Sequence, residues 1–503
     1  MILHHLHHLL RSPNEGFSQD CFMKEEVVPA QQKGLNRSLI FALMLGLFVS
    51  GLDGSVVNIM LPKLHEVFAA PLPKTMFIAT IYLALMAAFQ LLAGRCADIF
   101  NSLAVFLFGL ILFFAGSLVC AISLTIEQII CGRGIQGVGA AMLAASFGAI
   151  ILTYVPREKT GSVIGAVMMV MSLGVIIGPP LGGFLAEHVS WHWAFLINLP
   201  ITAVSIGIIS KYLINNKAGY LGTDLRESLK SLDLKGAIYS IIMLIALPAI
   251  FSLGSDKGLD SPFFLGAVII FLVSGALFSW TENRVAKPLM QLSILKNAGL
   301  VLILFIKGLV FVVMNGVMLV FPFFITGSSD MTIAQAGMFL LISAAAMAVT
   351  TPIAGKMTDR FQEIHLVLIA AFVLLFVIIG AFFIGAVPSK IIMGIVLAGF
   401  GCAMAVLMVA TSVLILKQAP AGQEGIFSAL NSLVLPVAGS VGVALFASIY
   451  AHGESVGSLG NEAYSGFILS LQSILVCILL LFVATIFYTL LIQRKQKTIA
   501  RNV

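Results

Sequence analysis

Charge is what this chain has least of. Asp, Glu, Lys and Arg make up 10% of its 503 residues, against about 25% in an ordinary soluble domain. No polar stretch is long enough to fold as a soluble domain of its own, which leaves an integral membrane protein with the lipid bilayer as its surroundings. The six cysteines form no C-x-x-C pair, so neither a disulfide framework nor a zinc site is indicated. No H-E-x-x-H motif occurs, and no enzyme activity is expected. The net charge of +6 comes from basic residues scattered singly between apolar runs. That spacing argues against nucleic acid as a partner and for orientation signals in a membrane. His4, His5, His7 and His8 cluster near the start, and His188 and His192 stand four apart. Neither group has a further ligand in view, so no metal site is read from them. Residues 1–22 read as a leader without structure, Met23 is an alternative start, and no cleavable secretory signal is visible.

What the chain has in abundance is apolar sequence, 60% of it. A span takes about 20 mostly apolar residues. By that rule about fourteen helices are expected, at 38–61, 75–93, 102–123, 127–153, 160–186, 191–213, 235–254, 262–281, 298–326, 334–354, 366–386, 390–416, 425–451 and 464–492. Lys63, Lys74, Lys257 and Lys390 fall in one set of loops, and Arg133 and Lys307 fall within spans. The remaining 22 of the 28 Lys and Arg lie in the other loops and the tails. The positive-inside bias then places both termini in the cytoplasm.

A repeat is legible in the loops. Gly94-Arg95-Cys96-Ala97-Asp98-Ile99-Phe100 follows the second span and Gly355-Lys356-Met357-Thr358-Asp359-Arg360-Phe361 follows the tenth, an offset of 261. The same offset carries Ser38 to Gly299, the starts of the first and ninth spans. The expected architecture is all-α, two six-helix bundles with an inserted helix pair. Its parts are a cytoplasmic tail (1–37), a first bundle (38–213), a connector (214–234), the inserted pair (235–281), a linker (282–297), a second bundle (298–492) and a last tail (493–503).

Asp53 and Arg133 stand out because a charge inside hydrocarbon costs at least a few kcal/mol. Asp53 lies about 7 residues before the expected outer end of its span and Arg133 about 6 from that of its own, roughly 10 Å deep in each case. Desolvation favours a protonated carboxyl and a nearby guanidinium favours a charged one. The pair is therefore suited to carry a coupling proton, provided that it meets water and not lipid. A purely structural ion pair is the alternative. Lys307, about 8 residues from the cytoplasmic end, either snorkels to that interface or faces a cavity, where it would suit an anionic or zwitterionic substrate. Snorkelling is the reading preferred from sequence. Asn58, Gln90, Gln136 and Asn315 are candidate cavity contacts or interhelical hydrogen bonds. Gly174, Gly178 and Gly182 are four apart and make a shallow groove on one helix face, where a neighbouring backbone can approach.

These features resemble the major facilitator superfamily, and its fourteen-span drug:proton antiporter branch. Leu52-Asp53-Gly54-Ser55-Val56-Val57-Asn58-Ile59-Met60-Leu61-Pro62 resembles that branch's L-D-x-T-V-V-N-x-A-L-P. Arg133-x2-Gln136-Gly137-x-Gly139-Ala140-Ala141 resembles the superfamily's motif B. Gly165-x8-Gly174-x3-Gly178-Pro179-x2-Gly182-Gly183 matches the antiporter motif at every defined position. Trp191-His192-Trp193-Ala194-Phe195-Leu196-Ile197-Asn198 is similar to W-R-W-x-F-x-I-N, with His for Arg. The first loop copy departs from the family by carrying Ile99, Asn101, Ser102 and Leu103 where basic residues are usual. The resemblance implies alternating access, with Gly94, Arg95, Asp98, Gly355, Lys356, Asp359 and Arg360 in cytoplasmic gating loops. It also implies a glycine helix that seals the cytoplasmic leak path. The expected activity is proton-driven export of hydrophobic or amphipathic small molecules, multidrug efflux included, across the inner membrane. No cofactor is expected beyond the proton gradient, and periplasmic adaptor proteins are an open alternative as partners. Export of one dedicated metabolite, such as a siderophore or an organic acid, is a second reading. A non-transporting sensor or membrane enzyme is a third.

Overall fold

The computed structural model describes residues 37–154, 157–216, 233–257, 260–285, 288–328, 331–386, 390–419, 424–456 and 462–502. Among them, fourteen helices are long and apolar enough to cross a membrane. The first half holds α1 (Arg37–Phe68), α2 (Leu72–Ile99), α3 (Ser102–Ala121), α4 (Ile126–Tyr154), α5 (Arg157–His188) and α6 (Asn198–Asn216), the last preceded by a single turn at Trp193–Leu196. Then come α7 (Leu234–Lys257) and α8 (Pro262–Glu282). The second half holds α9 (Ala298–Ser328), α10 (Ile333–Arg360), α11 (Glu363–Ala386), α12 (Lys390–Lys417), α13 (Glu424–Val456) and α14 (Glu462–Asn502). Residues 1–36 and most of the 214–234 connector lie outside the described residues.

The helix starts repeat at the offset seen in the loops. Arg37, Leu72 and Ser102 open α1 to α3, and Ala298, Ile333 and Glu363 open α9 to α11, each 261 positions later. Local chemistry fixes these starts. Asn101 accepts hydrogen bonds from the Leu103 and Ala104 amides, and Thr332 with Gln335 forms a capping box. Several ends differ from the apolar runs. α1 continues through Pro62 to Phe68, because a proline in a span removes one backbone hydrogen bond without ending the helix. Asp53 therefore lies near the middle of α1 rather than two turns from its end. α14 runs on to Asn502, beyond the end of its hydrophobic stretch.

Within the first half α1 packs on α5 and α3 on α4. In the second, α9 packs on α13 and α10 on α12. The halves meet along two seams, α5 against α10 and α2 against α13. The inserted pair is not symmetrical about them. α7 lies on both α2 and α13 and so covers one seam, with the Ser448 hydroxyl donating to the Phe251 carbonyl at 3.2 Å. Asp233 caps α7 by accepting the Gly236 amide at 2.9 Å, and Glu282 at the end of α8 accepts the Met290 amide at 3.2 Å.

Along the α5–α10 seam contact is closest at the end remote from Arg37. A β-carbon at Gly183 would lie 2.7 Å from the Ile333 carbonyl oxygen, and the Ala334 amide donates to Glu187 at 3.1 Å. At the end where α1 begins, Gly94 and Gly355 face open space. The halves thus touch closely at the end remote from Arg37.

Candidate functional site

Asp53 and Arg133 meet. Both are 1% exposed, and the guanidinium Nη1 donates to Asp53 Oδ2. Gln136, one turn after Arg133 on α4, donates to Asp53 Oδ1 at 3.0 Å, and Asn198 at the start of α6 donates to the same oxygen at 2.8 Å. Gln136 also accepts from Arg133 at 2.8 Å and donates to the Ser117 hydroxyl of α3 at 2.8 Å. The Arg133 guanidinium lies 4.0 Å from the centroid of the Tyr82 ring on α2. Side chains of five helices thus meet in one cluster around the Asp53 carboxylate, which faces protein and not lipid. The site is also sealed: in this conformation a proton has no open path to Asp53.

The network is nearly but not fully satisfied. Arg133 Nε and Asn198 Oδ1 are buried without a partner. Buried polar groups are seldom left so, and here they mark a cluster that can re-pair. Gln136, read as a cavity contact or an interhelical hydrogen bond, makes interhelical bonds and is fully buried within the network. Asn198 and Ser117 were not singled out by sequence. Asn198 ends the W-x-W-x-F-x-I-N stretch, while Ser117 carries no motif.

The glycine groove on α5 holds α1. A β-carbon at Gly174 would lie 2.5 Å from the Phe48 carbonyl, and one at Gly182 would lie 2.9 Å from the Val56 carbonyl. Gly178 is filled by Ser55, whose hydroxyl donates to the Leu52 carbonyl at 3.0 Å. Further along, Pro179 and Gly183 press on Gly337 and Ile333 of α10. α5 is therefore clamped to the Asp53 helix on one side and to the other half of the molecule on the other. Gly165 lies on α5 as well, nearer its start.

The remaining candidates are dispersed. Lys307 does not snorkel. It is 4% exposed and donates to Ser412 of α12 at 2.8 Å and to Asn431 of α13, with the Phe311 ring 5.6 Å away. Its stem is held inside the second half by those two oxygens. Asn315 donates to the Phe311 carbonyl of its own helix at 3.0 Å, and Asn58 is half-buried on α1. Gln90 is buried on α2 with Oε1 unpartnered. Arg95 is half-buried, whereas Lys356, Asp359 and Arg360 are exposed and enter none of the ion pairs among the described residues. The side chain of Asp98 lies outside the described residues. His192 is paired with Ser190 at 2.8 Å and stacked on Trp191, and burial pushes its pKa down. His188 stacks on Phe184 instead.

The sequence profile of the Major Facilitator Superfamily matches residues 43–443. The chain belongs to that superfamily. Among this transporter family's members, the chain is 26% identical to the multidrug resistance protein Stp of Mycobacterium tuberculosis over 422 residues, 83% of this chain and 77% of that protein. It is 23% identical to the riboflavin transporter RibZ of Clostridioides difficile over 469 residues, 92% and 99% of the two chains. A putative multidrug resistance protein MdtD of Yersinia enterocolitica is 27% identical over 84% of this chain and 88% of its own. The fold is shared with a D-xylose–proton symporter at TM-score 0.61 and 15% identity, covering 90% of this chain and 96% of that one. A bacterial Spinster homologue gives TM-score 0.62 at 14% identity, with 90% and 96% covered.

Proposed function

We propose that this superfamily member is a proton-coupled exporter of hydrophobic or amphipathic small molecules, and that Asp53 carries the proton. The observation that carries the reading is the arrangement at Asp53, where two side-chain amides and a guanidinium hold the carboxylate in a sealed pocket. A proton added there turns one acceptor oxygen into a donor and leaves Arg133 without a counter-charge. A buried charge stripped of its partner costs about 3–5 kcal/mol, so the cluster must rearrange. α1 cannot shift alone, because it lies in the α5 groove, and α5 bears on α10. Protonation is thereby linked to opening of the α5–α10 seam, with Asp53 exchanging its proton in conformations other than this sealed one.

The charge bias of the loops makes the face carrying Arg37 cytoplasmic, with both termini on that side of the inner membrane. The close contact between the halves at Gly183 and Ile333 then lies on the outer face, as expected of a state that loads cargo from the cytoplasm. Relatives named for multidrug resistance and for riboflavin transport support a small organic cargo. Proton influx would drive cargo outward, with the gradient as the sole energy source. Export of one dedicated metabolite is the alternative.

The test is pH-gradient-driven flux in proteoliposomes. Asp53→Asn is expected to abolish gradient-driven movement while substrate exchange at equal pH persists. Normal coupling in that variant would remove Asp53 from the scheme.

A further inference from the structure

Lys307 is a buried cation without an anion. The ion pairs among the described residues join Lys63 to Glu66, Lys74 to Glu127, Arg133 to Asp53 and Lys417 to Glu363. Lys307 has only the neutral oxygens of Ser412 and Asn431. An ammonium carries three donors, and two are used. The Ser412 hydroxyl proton is engaged with the Met408 carbonyl at 2.7 Å, so its oxygen is fixed as an acceptor toward the lysine.

The duplication offers no counterpart of this lysine. At the 261 offset that relates the start of α1 to that of α9, Lys307 corresponds to Gly46, whose position is filled by the Phe106 ring. A tie demanded by helix packing would have a polar counterpart there. Position points the same way. Lys307 lies 9 residues from Ala298, Ser412 5 from Lys417 and Asn431 7 from Glu424, roughly 10 Å from the face at which α1 begins. Lys307 itself is buried, whereas Ser412 and Asn431 are half-buried.

We propose that Lys307, held by Ser412 and Asn431, is an anion subsite that binds a carboxylate or sulfonate on the cargo. The inference rests on the export reading and narrows its substrate class to amphipathic acids. The subsite lies about two helical turns nearer that face than Asp53, on the other half of the molecule. Cargo and proton would thus occupy separate sites.

The test uses purified full-length protein and matched probes: naphthalene, biphenyl and indole skeletons, each as carboxylate, carboxamide and aminomethyl cation. Melting temperature is followed as each is titrated to millimolar concentration. The carboxylates are expected to stabilise the wild type and the amides and amines not to. In Lys307→Met the half-stabilising carboxylate concentration should rise about tenfold or more, while Lys307→Arg should stay within a few-fold of wild type. Equal stabilisation by all three forms, none by any form, or an unchanged response in Lys307→Met would each overturn the proposal. Should Lys307→Met not fold, the carboxylate-against-amide comparison in the wild type decides alone. Gradient-driven flux measured on the same preparation separates the two readings. Intact flux of a neutral or cationic compound without carboxylate stabilisation sinks the subsite only. Stabilisation without any flux sinks the export reading only.

Discussion

Asn198 donates its side-chain amide to Asp53 Oδ1 at 2.8 Å, joining α6 to α1 across 145 positions of sequence. The bond is charge-assisted and fully buried, and its loss leaves a carboxylate oxygen served by Gln136 alone. Hydrogen bonds to charged groups contribute about 1.5–3 kcal/mol. Asn198→Ala should therefore lower the melting temperature of the purified protein by several degrees and weaken gradient-driven flux. Asn198→Asp, which sets a second carboxylate against Asp53, should be worse than alanine on both measures. If aspartate proves milder than alanine, Asp53 is not ionised in the resting state.

The Asp53–Arg133 pair predicts a specific pattern of non-additivity. Either partner alone leaves an unpaired buried group, so Asp53→Asn and Arg133→Gln should each cost about 3–5 kcal/mol. The double variant removes both charges and should cost less than the sum by at least about 1 kcal/mol. Melting curves of the three variants measure this directly. Additive losses would mean that the two side chains do not depend on each other for their charge.

Much of this architecture could be read from the residues because hydrophobic spans and charge follow simple rules. The spans, the 261 offset, the Asp53–Arg133 pairing and the α5 groove all follow from apolar length, loop charge and glycine spacing. What escaped was set by tertiary neighbours. Ser117 and Tyr82 look like any other residues of an apolar span until α3 and α2 bring them to the cluster. Lys307 was expected to snorkel because its stem can reach the cytoplasmic interface. Ser412 and Asn431, more than a hundred residues away, supply two oxygens instead. The end of α1 was misplaced because the apolar run stops at Leu61, whereas the helix continues through Pro62 to Phe68.

Tyr82 offers a test of what holds Arg133 on its remaining side. The guanidinium lies over the ring, and the hydroxyl is only 3.4 Å from Ser50 in a long, weak contact. The ring face rather than the hydroxyl should matter, since a desolvated cation over an aromatic ring is worth about 2 kcal/mol. Tyr82→Phe should melt within about one degree of the wild type and retain flux, whereas Tyr82→Leu should lose stability to an extent seen only when Arg133 is present. A Tyr82→Leu loss that persists in the Arg133→Gln background would assign the ring to packing.

The clamp of α5 between α1 and α10 separates glycines that look alike in sequence. A β-carbon at Gly54 meets nothing within 4 Å, so Gly54→Ala should be neutral or stabilising by up to about 1 kcal/mol through helix propensity. At Gly178 the β-carbon would strike Ser55, with the Val56 amide nitrogen 3.1 Å away, and at Gly337 it would strike the Pro179 carbonyl. Overpacking of this kind costs about 1–3 kcal/mol, more than propensity returns. The two variants should still fail differently. Gly178→Ala parts α1 from α5 within one half and should lower the melting temperature. Gly337→Ala acts across the seam, where the strain can be relieved by separating the halves at the closed face. Spin labels at Val189 and Met338, both exposed near that face, report the separation. Gly337→Ala should shift their distance distribution to longer values with a smaller loss of melting temperature than Gly178→Ala. An unchanged distribution would mean that Gly337 merely packs, and that the seam does not yield there.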